Sequence, residues 1–212
     1  YPVMLSVNAV KDTSGVVQHY VTLSTDSTSR KAYQGQLERI AHYDSLTNLP
    51  NRVLLADHLN HDMLQCQRNN LTLAVAFLDL DDFKEVNDNH GHNLGDELLI
   101  TVSQRMQKAL REGDTLARIG GDEFIVVIAD LQNVENSTPI LESLLKAASD
   151  PVTVGDVEIQ VSASIGVTLY PHDGSDACQL MRHADQAIYR AKQASQTCLR
   201  LFDTLLANAS TF

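Results

Sequence analysis

The sequence contains little of what would mark a secreted, membrane-spanning or nucleic-acid-coating protein. It has three cysteines, Cys66, Cys178 and Cys198, without CxxC spacing, which predicts a reducing, cytoplasmic setting and no structural disulfide. No apolar run reaches about 18 residues, so no segment is expected to span or contact a membrane. The 16 basic residues against 27 acidic ones give a net charge of -11, which argues against binding a nucleic-acid polymer. A small phosphorylated ligand stays compatible with this charge, because a metal ion can neutralise it locally.

The sequence does contain enough apolar residues to form a hydrophobic core. Its 212 residues are 43% hydrophobic, which suits one large domain or one domain with an appendage. Predicted strands and helices alternate, and this alternation indicates a layered α/β domain. The chain begins at Tyr1 and not at Met, so we expect a fragment of a longer protein.

The first 43 residues predict a hairpin followed by a helix. Apolar stretches near residues 3–7 and 18–23 flank a turn at 12–15 that ends in Gly15. Thr25 to Thr28 then offer a cap for a helix over 30–43. That helix carries a narrow apolar stripe, as in a connector that pairs with a copy of itself.

Hydrophobic periodicity predicts the elements of the remaining chain. Asn51 caps a helix that runs to Cys66, and residues 67–70 break it. The other predicted helices cover 83–89, 93–110, 139–148 and 176–194. The predicted strands cover 71–78, 115–119, 124–129, 161–169 and 199–202, with a further hairpin at 152–159.

Two of the predicted strands carry acids at one end. Asp79 follows the apolar run 71–78, and Asp122 and Glu123 precede the run 124–128. If the strands are antiparallel, these acids meet and form an oxygen-ligand site for Mg²⁺ or Mn²⁺, completed by the Leu80 carbonyl. Taken alone, Asp79 is equally a strand-end or helix-capping acid. A calcium loop is disfavoured, because the glycine at the sixth position and the distal glutamate are missing.

The neighbouring residues have both ordinary and functional interpretations. Gly120 and Gly121 form a tight turn, and a turn without side chains also lets a ligand approach the backbone. Lys84 is either an exposed lysine or a phosphate contact. His90 and His92 are better explained as packing histidines than as a metal pair.

Several motifs, in order, resemble one family. Arg118-Ile-Gly-Gly-Asp-Glu-Phe124 resembles the signature of the GGDEF family, the bacterial diguanylate cyclases. Four further segments resemble other motifs of that family: 44–52, 77–84, 87–96, and the late pair 164–166 and 184–192. The resemblance spans about residues 42–204. It implies a palm-like nucleotide cyclase fold of the α+β type, with a mostly antiparallel central sheet wrapped by helices.

The resemblance also implies an activity and roles for particular residues. Two GTP molecules would be condensed to cyclic di-GMP with release of two pyrophosphates. Asp79, Glu123 and the Leu80 carbonyl would hold two divalent ions, Mg²⁺ or Mn²⁺. Asp122 would be a further ligand or would help to deprotonate the attacking hydroxyl. Asn87 and Asp96 would bind guanine, and the remaining substrate contacts would be Asp82, Phe83, Lys84, Gly120, Gly121 and Lys192.

The same resemblance implies an assembly and a means of control. Because one domain would hold one GTP, a two-fold homodimer is expected for catalysis. Arg111 and Asp114 match the family's RxxD site, where cyclic di-GMP inhibits, although a local Arg–Asp pair is the simpler interpretation of these two residues alone. Ser195-Gln196-Thr197 departs from the Gly-Arg-Asn that the family often has there.

These patterns give four predicted segments and two rival functions. The segments are the last hairpin of a PAS-like sensor (1–29), a connector helix (30–43), the cyclase domain (44–204) and a tail (205–212). The rivals are a silent GTP-binding module and a cyclic di-GMP receptor that acts through Arg111 and Asp114.

Overall fold

The computed structural model of this chain describes residues 3–26, 28–193 and 199–201. The chain divides into two compact units, Tyr1–Ala41 and His42–Phe212. No helix in these described ranges is both long enough and apolar enough to cross a membrane.

The first unit is a hairpin followed by a helix. Strands β1 (Val3–Lys11) and β2 (Val17–Asp26) pair antiparallel, and α1 (Thr28–His42) follows them. Asp12 organises the turn, because its carboxylate accepts from the amides of Ser14 and Val16 at 2.9 and 3.0 Å. Hydrogen bonds, the strongest from the Ser14 hydroxyl, lower the pKa of Asp12 to about 2. The predicted hairpin and helix are confirmed. Helix α1 begins at Thr28, inside the predicted capping stretch 25–28; Thr25 and Asp26 still belong to β2, and Ser27 lies outside the described residues.

The second unit contains five helices and seven strands among its described residues. In chain order they are α2 (Arg52–Asn69), β3 (Thr72–Leu80), α3 (Phe83–His90), α4 (His92–Ala109), β4 (Thr115–Gly120), β5 (Glu123–Leu131), α5 (Thr138–Ser149), β6 (Val152–Val154), β7 (Val157–Ile159), β8 (Ala163–Tyr170), α6 (Ala177–Gln193) and β9 (Leu199–Leu201). A short 3₁₀ turn, Val134–Ser137, precedes α5.

Five of these strands form the central sheet, in the order β4-β5-β3-β8-β9. The three pairings among β4, β5, β3 and β8 are antiparallel, and β9 joins β8 in parallel. The predicted mostly antiparallel α+β fold is therefore confirmed. β6 and β7 form a separate hairpin, also as predicted.

The middle strand, β3, is buried on both faces because helices cover both sides of the sheet. Leu73, Val75 and Phe77 pack in one cluster with residues of α2 and α6. Ala74, Ala76 and Leu78 alternate with them and pack in a second cluster with residues of α4 and α5. Each fully buried Leu or Val here contributes roughly 1.5–3 kcal/mol relative to exposure. This strand therefore forms a firm base for the residues at its end.

Some predicted boundaries were wrong, for local reasons. Helix α2 continues past Cys66 to Asn69 and ends at Asn70, whose left-handed backbone (φ 54°) provides the stop. The break between α3 and α4 is confined to Gly91, at φ 83°. β3 extends through Leu80, so Asp79 lies within the strand and not after it.

Candidate functional site

Asp79 and Glu123 lie directly opposite each other on β3 and β5. Both are half-buried, at the edge of the sheet where β3 ends and β5 begins. The backbone N–H of Leu80 donates to the carbonyl oxygen of Asp122 at 3.4 Å. The structure thus brings together the end of β3 and the acids that precede the core of β5.

The turn between β4 and β5 contains only Gly121 and Asp122, because Gly120 still pairs with Glu123. Gly121 has φ 53°, a conformation that glycine adopts without strain. Gly120 and Gly121 are exposed, so backbone atoms of the turn are accessible to a ligand. Asp122 is half-buried and adjoins Glu123 in the turn.

Arg118 holds this turn in place, a role that sequence reasoning missed. Its Nε donates to the carbonyl oxygen of Gly121 at 2.9 Å, and its guanidinium pairs with Asp44 at 2.8 Å. Its backbone N–H also donates to the carbonyl oxygen of Pro50 at 3.0 Å. The segment between α1 and α2 is thereby bonded to the turn beside the acids.

The surroundings of Asp44 favour its ionised form, which pairs with Arg118. Burial by itself raises the pKa of its carboxyl, but hydrogen bonds from Thr47 and the guanidinium of Arg118 outweigh burial and lower the pKa overall. Thr47 donates both its backbone N–H and its hydroxyl to Oδ1, at 2.8 and 2.7 Å. Asp44 and Arg118 are 74 positions apart. Both lie in motifs named above, and their place in those motifs is the one signal in the sequence that could have identified them.

Asp79 and Glu123, called the acid edge below, are side chains of the type that binds Mg²⁺. Among the described residues, no three acidic, histidine or cysteine side chains are grouped closely enough to hold a metal ion by themselves. Mg²⁺ usually takes one or two carboxylates and completes its shell with water and substrate phosphates. Asp79 and Glu123 are two carboxylates of that kind on paired strands, and Leu80 follows Asp79 in β3.

The start of α3 provides the next group of predicted contacts. Asp82 has left-handed backbone (φ 58°) and makes no side-chain capping bond. Phe83 is buried and anchors the helix, whereas Lys84 is exposed. The side chain of Lys192, in the last turn of α6, lies outside the described residues, as do Ser195, Gln196 and Thr197.

Asn87 of α3 packs against Gly95 of α4, the residue that precedes Asp96. A Cβ at residue 95 would overlap Asn87 Oδ1 and would lie 3.2 Å from Phe83 Cζ. Gly95 therefore leaves room for the amide of Asn87 beside the first turn of α4, where Asp96 follows. Asp96 is exposed, so its carboxylate is accessible to a ligand.

Arg111 and Asp114 form a closed local pair in this structure. Arg111 Nε lies 3.3 Å from Asp114 Oδ2, and the backbone N–H of Arg111 donates to the same oxygen at 3.1 Å. Asp114 Oδ1 accepts from the backbone N–H of Ala129 at 3.3 Å. The Asp114 side chain is 2% exposed and the Arg111 side chain 55%. The Asp114 carboxylate is therefore buried in bonds within the fold, whereas the Arg111 guanidinium is accessible to a ligand.

Two clefts flank the predicted site. One of about 360 Å³ includes Glu123 and is lined by Arg52 and Arg182 among others. The other, of about 640 Å³, lies between α3 and the β6–β7 hairpin and is lined by Asp81, Asp82 and other acids. It does not include Asp79, Glu123, Asn87 or Asp96. Of the predicted site residues that the structure describes, Asp82 lines the larger cleft.

Residues 41–198 match the family described as "Diguanylate cyclase, GGDEF domain". The chain therefore belongs to the GGDEF family, as its motifs predicted. It is 42% identical over 184 residues to the bifunctional diguanylate cyclase/cyclic di-GMP phosphodiesterase MucR of Pseudomonas aeruginosa, covering 86% of this chain and 27% of MucR. The chain spans about a quarter of the length of several curated relatives that it matches.

Solved structures show the same fold. The GGDEF domain of TpbB (YfiN) from Pseudomonas aeruginosa matches with a TM-score of 0.76 at 35% identity, covering 79% of this chain and 98% of that one. The GGDEF domain of DgcB from Caulobacter crescentus, in complex with c-di-GMP, matches with a TM-score of 0.71 at 25% identity, over 77% of this chain and 94% of that one.

Proposed function

We propose that this domain is a diguanylate cyclase, which converts two GTP molecules to cyclic di-GMP and two pyrophosphates. The observation that carries the proposal is the pairing of Asp79 with Glu123 beside the turn at Gly121 and Asp122, in a chain of the GGDEF family. A domain that has lost the chemistry has no need to keep two carboxylates opposite each other, since like charges at such positions are unfavourable.

The residues of the edge fit the reaction, in which a ribose 3′-oxygen forms a bond to an α-phosphorus and the bond to pyrophosphate breaks. Bound Mg²⁺ supplies a lower pKa for the attacking hydroxyl and neutralises the charge of the leaving group. Asp79, Glu123 and the Leu80 carbonyl hold the ions in this proposal. Asp122, next to Glu123 in the turn, takes up the hydroxyl proton.

The nucleotide lies across the start of α3 in this proposal. Its phosphates meet the backbone of Asp82 and Phe83 and the turn at Gly120 and Gly121, with Lys84 and Lys192 supplying positive charge. A phosphate that approaches these backbone amides closely is favoured, because the N-terminus of a helix carries partial positive charge.

Asn87 and Asp96 select guanine. The Asp96 carboxylate accepts from the guanine N1–H and 2-amino group, whereas adenine presents a lone pair at N1 and no 2-amino group. An unpaired polar contact of that kind costs on the order of 1–3 kcal/mol or more, which favours GTP over ATP by about ten- to a hundred-fold at least. The proximity of Asn87 to the first turn of α4 supports this assignment.

Catalysis requires two domains facing each other, because each contributes one GTP and the product has two new bonds. Helix α1 supports a homodimer. Tyr33, Leu37 and Ile40 are 65%, 50% and 71% exposed and lie four and three residues apart, so they form an exposed apolar stripe suited to packing against a copy of the same helix. Cyclic di-GMP, bound at Arg111 and Asp114, restrains the enzyme, with the exposed guanidinium turning to the guanine O6 and N7.

The test is to incubate a verified dimer with GTP and Mg²⁺ and to separate the nucleotides. We expect cyclic di-GMP and pyrophosphate in a 1:2 ratio, with at least about ten-fold less product from ATP. A dimer that keeps GTP bound without making product would instead be a silent regulatory module. A chain that binds cyclic di-GMP but not GTP would be a receptor. Either result would refute the cyclase proposal.

A further inference from the structure

Asp81 lies between Asp79 and α3, and three hydrogen bonds connect it to the start of β8. Its Oδ2 accepts from Ser162 Oγ at 2.6 Å, and its Oδ1 accepts from Ser164 Oγ at 2.9 Å. Its backbone N–H donates to the carbonyl oxygen of Ser162 at 2.9 Å. Asp81 is thus fixed through both carboxylate oxygens and through its backbone.

These bonds extend the attachment of β3 to β8 beyond the last regular pair of the sheet. Asp79 pairs with Ser164 and Leu80 with Ala163, and there the pairing ends. Asp82 already has left-handed backbone, and its side chain does not cap α3. Asp81 therefore fastens the chain at the point where it leaves the sheet.

The contact also provides a hydrogen-bond partner for the buried hydroxyl of Ser164. Ser164 is 1% exposed, and a buried hydroxyl needs a hydrogen-bond partner. The Asp81 carboxylate supplies that partner, through a charge-assisted bond of the stronger kind. A carboxylate held in this way cannot swing toward an ion without breaking its serine bonds.

We propose that Asp81 is a positioning residue and not a metal ligand. Through Ser162 and Ser164 it sets the place of the Leu80 carbonyl and of the backbone at Asp82–Phe83 relative to Asp79. The inference rests on the proposed function, in which those groups hold the ions and the phosphates. Groups that orient metal ligands from outside typically change metal affinity or activity by about 10–100-fold when they are removed.

A set of substitutions separates positioning from ligation. An amide at residue 81 can keep both contacts, because its oxygen accepts from one serine and its NH₂ donates to the other hydroxyl. We expect Asp81→Asn to lower the cyclase rate by no more than about three-fold. Asp81→Ala and the double variant Ser162→Ala/Ser164→Ala lower it by about 10-fold or more and raise the Mg²⁺ concentration needed for half of the maximal rate.

Ligation predicts the reverse order. Asp81→Asn would then lose as much activity as Asp79→Asn, and the double serine variant would stay near wild type. That result would overturn the proposal. Ser143→Ala is the matched control, because Ser143 Oγ also donates a hydrogen bond, to the Pro139 carbonyl, but far from the site on α5. If the buried Ser164 variant does not fold, Ser162→Ala alone gives the same comparison.

Amide hydrogen exchange tests the attachment without turnover. We expect faster exchange at residues 82–86 in Asp81→Ala and in the serine variants, and wild-type exchange in Asp81→Asn and Ser143→Ala. Unchanged exchange in Asp81→Ala and the serine variants would refute the positioning role. A chain that makes no cyclic di-GMP would refute the proposed function alone, because the exchange pattern would still decide whether Asp81 positions the loop.

Discussion

Asp79 faces Glu123 across two neighbouring strands, whereas Asp114 faces Arg111 within a single short turn. The first pairing sets two like charges opposite each other, which destabilises a sheet. The second sets opposite charges together and adds backbone donors, so the fold itself accounts for it. The fold by itself therefore explains the Arg111–Asp114 pair, whereas in the proposed function a bound cation would offset the like charges of Asp79 and Glu123.

The largest expected effect comes from removing one acid of the edge. Glu123→Gln keeps the shape of the side chain and removes its charge, so we expect cyclase activity to fall more than about 100-fold, beyond the usual loss for an outer partner of a metal. Stability should stay the same or rise by roughly 0.2–1 kcal/mol, because the repulsion from Asp79 is gone. Turnover assays and urea unfolding measure the two effects. A cooperative loss of folding would show that Glu123 is structural.

Asp114 should behave in the opposite way. Asp114→Ala leaves the backbone N–H groups of Arg111 and Ala129 without their acceptor, so we expect a loss of about 1.5–3 kcal/mol in the free energy of unfolding. Urea denaturation measures it. A free energy of unfolding equal to that of the wild type would mean that the Asp114 carboxylate does not stabilise the fold. Asp114 would then not differ from Asp79 and Glu123 in this respect.

Arg111→Ala separates product control from structure within the same pair. Its side chain is 55% exposed, so we expect the free energy of unfolding to fall by less than about 1 kcal/mol. Inhibition by added cyclic di-GMP should weaken by about ten-fold or more, since a bidentate contact to guanine is worth about 1–3 kcal/mol. Inhibition titrations with cyclic di-GMP measure this effect, and the surface variant Arg68→Ala is the matched control. Unchanged inhibition would refute the product site.

The fold and the pairing of Asp79 with Glu123 could be predicted from the sequence. The hydrogen bonds that hold the neighbouring segments in place could not. The apolar run before Asp79 predicts a strand buried on both faces, and the run after Glu123 predicts its neighbour. The contacts of Arg118 with Asp44 and of Asp81 with Ser162 and Ser164 join residues 74 to 83 positions apart. No local periodicity encodes which distant hydroxyl or carboxylate a side chain will meet.

The smallest expected effects are in the pH dependence of stability. The folded state lowers the pKa of Asp44, so this group stabilises the fold above its ordinary pKa of 3.8, and the benefit is lost as the pH falls through the lower folded value. Burial raises the pKa of Asp62, so its ionised form weakens the fold at neutral pH. We expect Asp44→Asn to destabilise and Asp62→Asn to stabilise at pH 7. Urea denaturation measures both changes in the free energy of unfolding, and we expect both to be smaller at pH 3. Changes of the same sign in the two variants at pH 7 would contradict the opposite pKa shifts of Asp44 and Asp62.

The central claim is that the acid edge binds the metal ions for GTP chemistry. Its most direct test is a crystal structure with Mn²⁺ and a non-reactive GTP analogue, in which anomalous scattering locates the ions. We expect Mn²⁺ between the carboxylates of Asp79 and Glu123, with guanine at Asn87 and Asp96. Mn²⁺ in the acidic cleft beside Asp82 and Glu85, with the Asp79–Glu123 edge empty, would contradict the claim.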